Sequence, residues 1–302
     1  MTPSPSPALR PWWQPSAFDY GQVELLVMRL LFAFLAFDVI KWKTGPFTTQ
    51  KFPHGIAHFV DLTWLAKHPP GALWQGLTIA GLAVYVAGRV SALALLPALF
   101  FAITIGTLLT SQSQNVNHTW QLITMILLAQ FLVYAWPRGK RAFLRPGQEV
   151  HRLAIYASTV VIAASYVVCG VVKLANSHFQ WIQKVPNLSL QIMKSNWAGY
   201  YDTLEQPPEW LSKAAQAIVD HPHLARVFFG SGLLIELLGF VVLINRKFAF
   251  WGGLMIIALH LSISKVMDLH FEYHMAAAVI FLVNVPGISK TFGRSQPSPV
   301  GM

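Results

Sequence analysis

Charge is scarce in this sequence, and acidic charge is scarcer than basic. Only 11% of the 302 residues are Asp, Glu, Lys or Arg, with 12 acidic against 22 basic. A soluble domain carries roughly 25% charged residues, so the composition excludes an ordinary water-facing surface. Cysteine is all but missing. The single Cys169 rules out an intrachain disulfide framework and any Cys-based zinc or iron–sulfur centre. It falls within an apolar run, where a lone thiol reads as a small packing residue. The apolar runs also lack the period-two alternation of membrane strands, and no internal repeat stands out. The opening Met1-Thr-Pro-Ser-Pro-Ser-Pro7 lacks the pattern of a signal peptide and reads as part of a disordered tail, residues 1–20.

What the chain has in abundance is apolar length. Hydrophobic residues make up 54%, and the mean hydropathy is +0.48. Eight segments approach spanning length: 22–40, 72–89, 91–110, 119–136, 151–174, 226–244, 247–265 and 271–286. Pro69-Pro70-Gly71, Trp136-Pro137 and Pro286-Gly287 punctuate them. The expectation is an all-α, polytopic integral membrane helical bundle of about eight transmembrane helices over residues 21–287, with a C-terminal tail at 288–302. The net charge of +10 is not a nucleic-acid footprint, because Lys and Arg cluster at the ends of apolar runs. Membrane lipid is the expected partner.

Orientation follows from the basic loops. Arg138, Lys140, Arg141, Arg145 and Arg152 lie between the fourth and fifth segments, Arg89 between the second and third, and Arg246-Lys247 between the sixth and seventh. Arg10 precedes the first segment; Lys290 and Arg294 follow the last. With eight spans the positive-inside rule puts all of these, and both termini, in the cytoplasm. Two long connections, 41–71 and 175–225, then fall on the outer face. Their aromatics (Trp42, Trp64, Trp181, Trp197, Trp210) interleave with prolines and suit segments lying along a membrane surface. The second is expected to be helical over Pro208 to Val219 and can serve as a lid.

Polar residues concentrate toward that outer face. Asn117 and His118 open the fourth segment; Tyr166, Gly170 and Lys173 share one face near the end of the fifth, at i, i+4 and i+7. His260 and Ser264 end the seventh, His270, Glu272 and His274 open the eighth, Asp38 and Lys41 end the first, and Glu236 lies deep in the sixth. The inner half reads as almost purely apolar. Lys173 is the most telling of the set, since an ionisable group closing the apolar run 153–172 calls for a partner or a function; a snorkelling anchor is its plain alternative. His270 and His274 stand at i, i+4, yet His-Phe-Glu-Tyr-His is not the zincin pattern and no third ligand is evident, so no metal is expected.

These residues carry a resemblance. Asn117-His118 at the start of a span, Ser165 to Leu174 with Lys173 followed by Trp181, Glu236-Leu-Leu-Gly-Phe240, and His260-Leu-Ser-Ile-Ser264 together resemble the vitamin K-dependent γ-carboxylase family and its wider membrane core, the horizontally transferred transmembrane (HTTM) domain. The likeness covers most of residues 20–286. It implies a catalytic base at Lys173 supported by His118, with Asn117 and His260 lining a hydroquinone site on the lumenal or periplasmic face; Tyr166 and Glu236 are the further candidates for that site. The implied cofactors are a reduced quinone, vitamin K hydroquinone-like, and O2, with CO2 where epoxidation is coupled to carboxylation. Family carboxylases add a large β-rich outer domain for their peptide substrate, whereas this sequence ends at Met302; the implication is therefore limited to the quinol-handling core, with 175–225 available for a small peptide or protein substrate.

The chemistry is physically coherent. A lysine accepts a phenolic proton only as the free amine, and an apolar helix face penalises the charged form. The site must also be dry, so that a strong base formed there is not quenched by water. Two other classes stay open: a non-catalytic accessory or peptide-maturation protein of the same fold, whose mark would be Lys173 facing lipid with no cavity beside it, and a small-molecule transporter, which needs a polar path across both halves.

Overall fold

The computed structural model describes residues 18–41, 59, 71–112, 118–136 and 143–292. Among them there is no strand. Of the expected tails only residues 18–20 and 288–292 are described, with Phe18 and Tyr20 buried and 288–292 helical; the rest, and all but one residue of the connection from 42 to 70, lie outside the described residues. The helices are α1 (Gln22–Lys41), α2 (Gly71–Val86), α3 (Ser91–Gln112), α4 (His118–Ala135) and α5 (Gln148–Asn176), then α6 (Trp181–Lys184), α7 (Leu188–Thr203), α8 (Glu209–Asp220) and α9 (Pro222–Leu237). They are followed by α10 (Arg246–Met267), α11 (Glu272–Ala278), which runs on into a π turn at Val279–Val283, and α12 (Ile288–Phe292).

All eight apolar segments are thus helical in the main. Three helical stretches are long and apolar enough to cross a membrane: Gln148–Asn176, Arg246–Met267 and Glu272–Phe292. Gly71–Val86, Ser91–Thr104 and Trp120–Ala135 are shorter apolar helices. Helix is the structure that satisfies backbone groups within one segment, which suits an apolar chain with few side-chain donors. Local chemistry sets the ends. Asn245 caps α10 by accepting hydrogen bonds from the backbone nitrogens of Lys247 and Phe248 at 2.9 and 3.1 Å. Left-handed Leu204 and Asp268 stop α7 and α10.

Long-range contacts sort the helix ends into two groups. At one end, Arg246 reaches Glu24 (3.0 Å) and the Gly287 carbonyl (3.2 Å), Arg152 donates to the Tyr20 carbonyl (3.0 Å), and the Val90 nitrogen donates to the Leu144 carbonyl (2.9 Å). The starts of α1, α3, α5 and α10 therefore gather there, with most of the described basic residues expected to face one side. At the other end, Gln75 donates to the Lys41 carbonyl (3.3 Å), Tyr273 donates to Asp38 (2.8 Å), and Asn196 donates to the Val266 carbonyl (2.9 Å). Asp38 also pairs with Lys41 at 2.5 Å. Successive helices run antiparallel between these two ends.

The bundle is turned inside out relative to a soluble protein. Val23, Phe34, Val168, Val227, Phe228 and Trp251 face outward, while Glu24, Arg29, Gln130, Ser158, Glu236 and His260 are buried. Large contiguous apolar exteriors mark contact with lipid or another apolar phase. The core between the ends is aromatic and aliphatic, with Phe32 set edge-on against Tyr85 and Phe281 at ring separations of 6.5 and 5.4 Å.

Three expectations need correction. The inner half is not almost purely apolar. Tyr85 donates to Gln130 (2.6 Å), Gln130 donates to Ser158 (2.9 Å), and Tyr134 bonds His151 (2.8 Å), all buried at or toward the basic end. Average hydropathy hid these groups because each polar side chain is satisfied by another inside the bundle. The segment 226–244 is not one helix; α9 ends at Leu237 and a 3-10 turn, Gly239–Leu243, completes it. The connection 175–225 holds α7 as well as the expected α8, so it is more ordered than a loop with one helix.

The approach of α5 to α9 is set by Gly170. A Cβ there would lie 3.0 Å from Leu237 Cδ2 and 3.2 Å from the Leu237 backbone nitrogen. Gly170→Val should force the helices apart and lower stability by about 1–3 kcal/mol, read as a lower Tm of the detergent-solubilised protein. Val171→Leu, on the outward face, should leave the Tm unchanged.

Candidate functional site

Close contact at Gly170 brings the end of α5 against the end of α9, and two charges meet there. Lys173 Nζ donates to both carboxylate oxygens of Glu236, at 2.5 and 2.7 Å. The Glu236 side chain is 8% exposed and that of Lys173 38%, so the carboxylate is enclosed and the ammonium is partly exposed. Trp181, in the short α6 just after the turn, places its ring centroid 5.9 Å from Lys173 Nζ. This adds a cation–π contact to the ion pair. Lys173 is not a lone anchor reaching for headgroups; it has the partner that its position in an apolar run demands.

Two turns back along α5, Tyr166 is buried and its hydroxyl meets His260 Nε2 on α10 at 2.5 Å. Phe271 stacks on the His260 ring at a centroid separation of 4.5 Å, and His274 lies at 5.6 Å. His260 is itself buried, and its Nδ1 has no hydrogen-bond partner among the described residues. When Tyr166 donates to Nε2, the ring proton resides on Nδ1 and leaves an uncommitted N–H donor in an apolar setting. Such a donor is costly unless it meets an acceptor.

The sequence-based candidates divide accordingly. Lys173, Glu236, Tyr166 and His260 come together at one end of the bundle, from α5, α9 and α10. Asn117 lies outside the described residues, as does the side chain of His118, whose backbone begins α4. His270 and His274 do not act together: His270 bonds Glu272 at 3.0 Å on the exposed side, while His274 faces His260. No group of three or more His, Cys, Asp or Glu that could hold a metal occurs among the described residues. Phe271 was not singled out from the sequence, and neither was the direct contact of Lys173 with Glu236. The signal for the latter was present, since a carboxylate and an ammonium both fell within long apolar runs of a chain with few charges.

The donor set suits a small ring bearing hydroxyl or carbonyl oxygens. Glu236 and Lys173 can exchange a proton, and His260 Nδ1 can donate to an oxygen. Aromatic faces at Phe271 and Trp181 offer stacking partners. A hydroquinone headgroup fits these requirements on the strength of the unpartnered His260 Nδ1 and the mixed acid–base pair.

Lys173→Ala should be strongly destabilising, up to about 3–5 kcal/mol, because it strands the enclosed Glu236 carboxylate. The double variant Lys173→Ala/Glu236→Ala should recover most of that loss. A double-mutant cycle on detergent-solubilised protein, with Glu236→Ala as the other single variant, checks this; a loss in the double variant equal to the sum of the two single losses would mean the pair contributes nothing.

In comparisons with known proteins, no family model, no curated protein and no solved structure matches this chain.

Proposed function

We propose that this chain is a membrane-embedded enzyme that takes a proton from a lipid-soluble hydroquinone at the Lys173–Glu236 pair, in an oxygen-dependent reaction like that of the γ-carboxylase core. The observation that carries this reading is the two-point contact of Lys173 with an enclosed carboxylate, beside the Tyr166–His260 bond. The lysine that the resemblance assigns as base thus has a built acid–base partner.

The reading takes the eight apolar helical segments as eight spans, with the basic end in the cytoplasm and the Lys173 end on the opposite face. Support comes from the gathering of Arg152, Arg246 and Lys290 at one end, the pattern of the positive-inside rule. The outward-facing Val, Leu and Phe side chains supply the surface that lipid would cover.

Each residue then has a role. Glu236 accepts a proton from Lys173 Nζ, which frees the amine to take the next one from a phenolic hydroxyl. His260 Nδ1–H donates to a ligand oxygen and steadies the charge that develops there. Tyr166 holds the His260 ring in the tautomer that makes this possible. Phe271 and the outward apolar helix faces keep water from the buried side, while the partly exposed Lys173 marks the entrance. A bound hydroquinone would supply the reducing equivalents that dioxygen consumes; the resemblance would add His118 and Asn117 to its handling, and CO2 is the co-substrate if the reaction is coupled to carboxylation. The helices α7 and α8 form the cover under which a small peptide or protein substrate would be held.

The test is anaerobic purification, addition of vitamin K hydroquinone, then oxygen, with the quinone 2,3-epoxide as readout. Wild type should form epoxide. Lys173→Ala and His260→Ala should each lower its rate, by roughly 100-fold or more for Lys173→Ala. No epoxide from folded wild type would overturn the reading.

A further inference from the structure

The chain leaves α5 by an uncommon path, and that path returns to Lys173. His178 and Phe179 are both left-handed, at φ +52° and +61°. This conformation is unfavourable for any residue with a Cβ, and where it occurs it is confined to single residues, mostly glycine, asparagine or aspartate. The turn is nonetheless closed by hydrogen bonds. The backbone nitrogens of His178, Phe179 and Gln180 donate to the carbonyls of Ala175, Leu174 and Ser177 at 3.0, 2.8 and 3.1 Å. The Ser177 hydroxyl donates to the Leu174 carbonyl at 3.1 Å.

The side chains of the turn do not account for its strain. His178 is exposed and Phe179 is 75% exposed, so their own packing offsets little. A strained backbone persists where its surroundings over-determine it, and here the determining contacts come just after the turn. Ile182 packs on Gly230 of α9, where an added Cβ would lie 3.3 Å from Ile182 Cδ1. Val185, which opens the 3-10 turn Val185–Asn187, is 1% exposed. Trp181 sets its ring centroid 5.9 Å from Lys173 Nζ. Had α5 continued straight, position 181 would lie about 12 Å beyond Lys173, at 1.5 Å per residue. The left-handed pair is what folds the chain back far enough for the indole to reach the ammonium.

From this convergence we infer that residues 177–185 form a strap that seats the Trp181 ring on the Lys173 ammonium, and that Trp181 is a positioning residue for the Lys173–Glu236 pair. Held by an enclosed carboxylate and an aromatic face, the ammonium keeps one side-chain direction, and the indole covers part of its surface. The positioning role rests on the proposed reaction; the strap itself does not.

Reductive methylation of full-length, detergent-solubilised protein with formaldehyde tests the strap. Mass spectrometry of the peptides reads the rate at Lys173, with exposed Lys213 as the reference in each sample. Trp181→Leu should be modified at Lys173 about 3- to 10-fold faster than wild type. Trp181→Phe, which keeps an aromatic face, should stay closer to wild type. Gly230→Val, which leaves Trp181 in place but crowds Ile182, should speed the modification as Trp181→Leu does. Equal rates in wild type and Trp181→Leu would overturn the strap, and Trp181→Phe as fast as Trp181→Leu would overturn the role of the aromatic face. In the epoxide assay Trp181→Leu should be about 3- to 10-fold slower than wild type, with rescue by Trp181→Phe; an unchanged rate would overturn the positioning role. The methylation arm needs no turnover. Wild type that forms no epoxide would overturn the reaction, and with it the positioning role, while the strap is still decided by the rates at Lys173.

Discussion

A buried charge must be matched, and the arrangement of this protein follows from how few charges it has to match with. Lys173 and Glu236 lie 63 positions apart in sequence, on helices whose other residues nearby are largely apolar. Separated, each would be a heavy cost in an apolar bundle; together, in a two-point contact, they offset one another. Their pairing requires α5 and α9 to cross closely at Gly170, and that crossing carries Tyr166 to the level of His260. The same geometry that satisfies the charges thus assembles the acid, base and donor groups of the candidate site.

The opposite end obeys the same rule with a different outcome. Arg152 and Arg246 take up the carboxylates of Asp19, Glu149 and Glu24, and they tie the start of α1 to α5, α10 and the Gly287 carbonyl. These ties close the basic end around residues 18–24. Arg29, one turn deeper, is left with carbonyl oxygens only. Polar groups between the ends, such as Gln130 and Ser158, are spent on each other.

Much of this was legible before any fold was known. Apolar runs of helical length, broken at Pro69-Pro70-Gly71 and Trp136-Pro137, gave the order and approximate bounds of the long helices, because a chain with so few polar side chains must satisfy its backbone internally. The spacing of Tyr166, Gly170 and Lys173 placed them on one face, since the helical repeat alone dictates it. Less visible were features that averaging hides. Window hydropathy passes over a single Gln130 or Arg29, so the inner half read as apolar when it is not. The break after Leu237 and the helix α7 depend on contacts with neighbouring segments, which local composition does not report.

By itself the sequence determined helicity, the order of the long segments and the residue types available for chemistry; composition and the 3.6-residue period suffice for these. The tertiary structure alone decided which charges meet. Lys173 could have paired with any acid at its level, or with headgroups, and His260 could have faced any neighbouring helix. Helix rotation and crossing select Glu236 and Tyr166 as their partners, and the same packing gives Arg29 the Leu25 and Tyr85 carbonyls. Pairing depends on distances of a few ångströms between segments far apart in the chain, and periodicity along one segment carries no information about them.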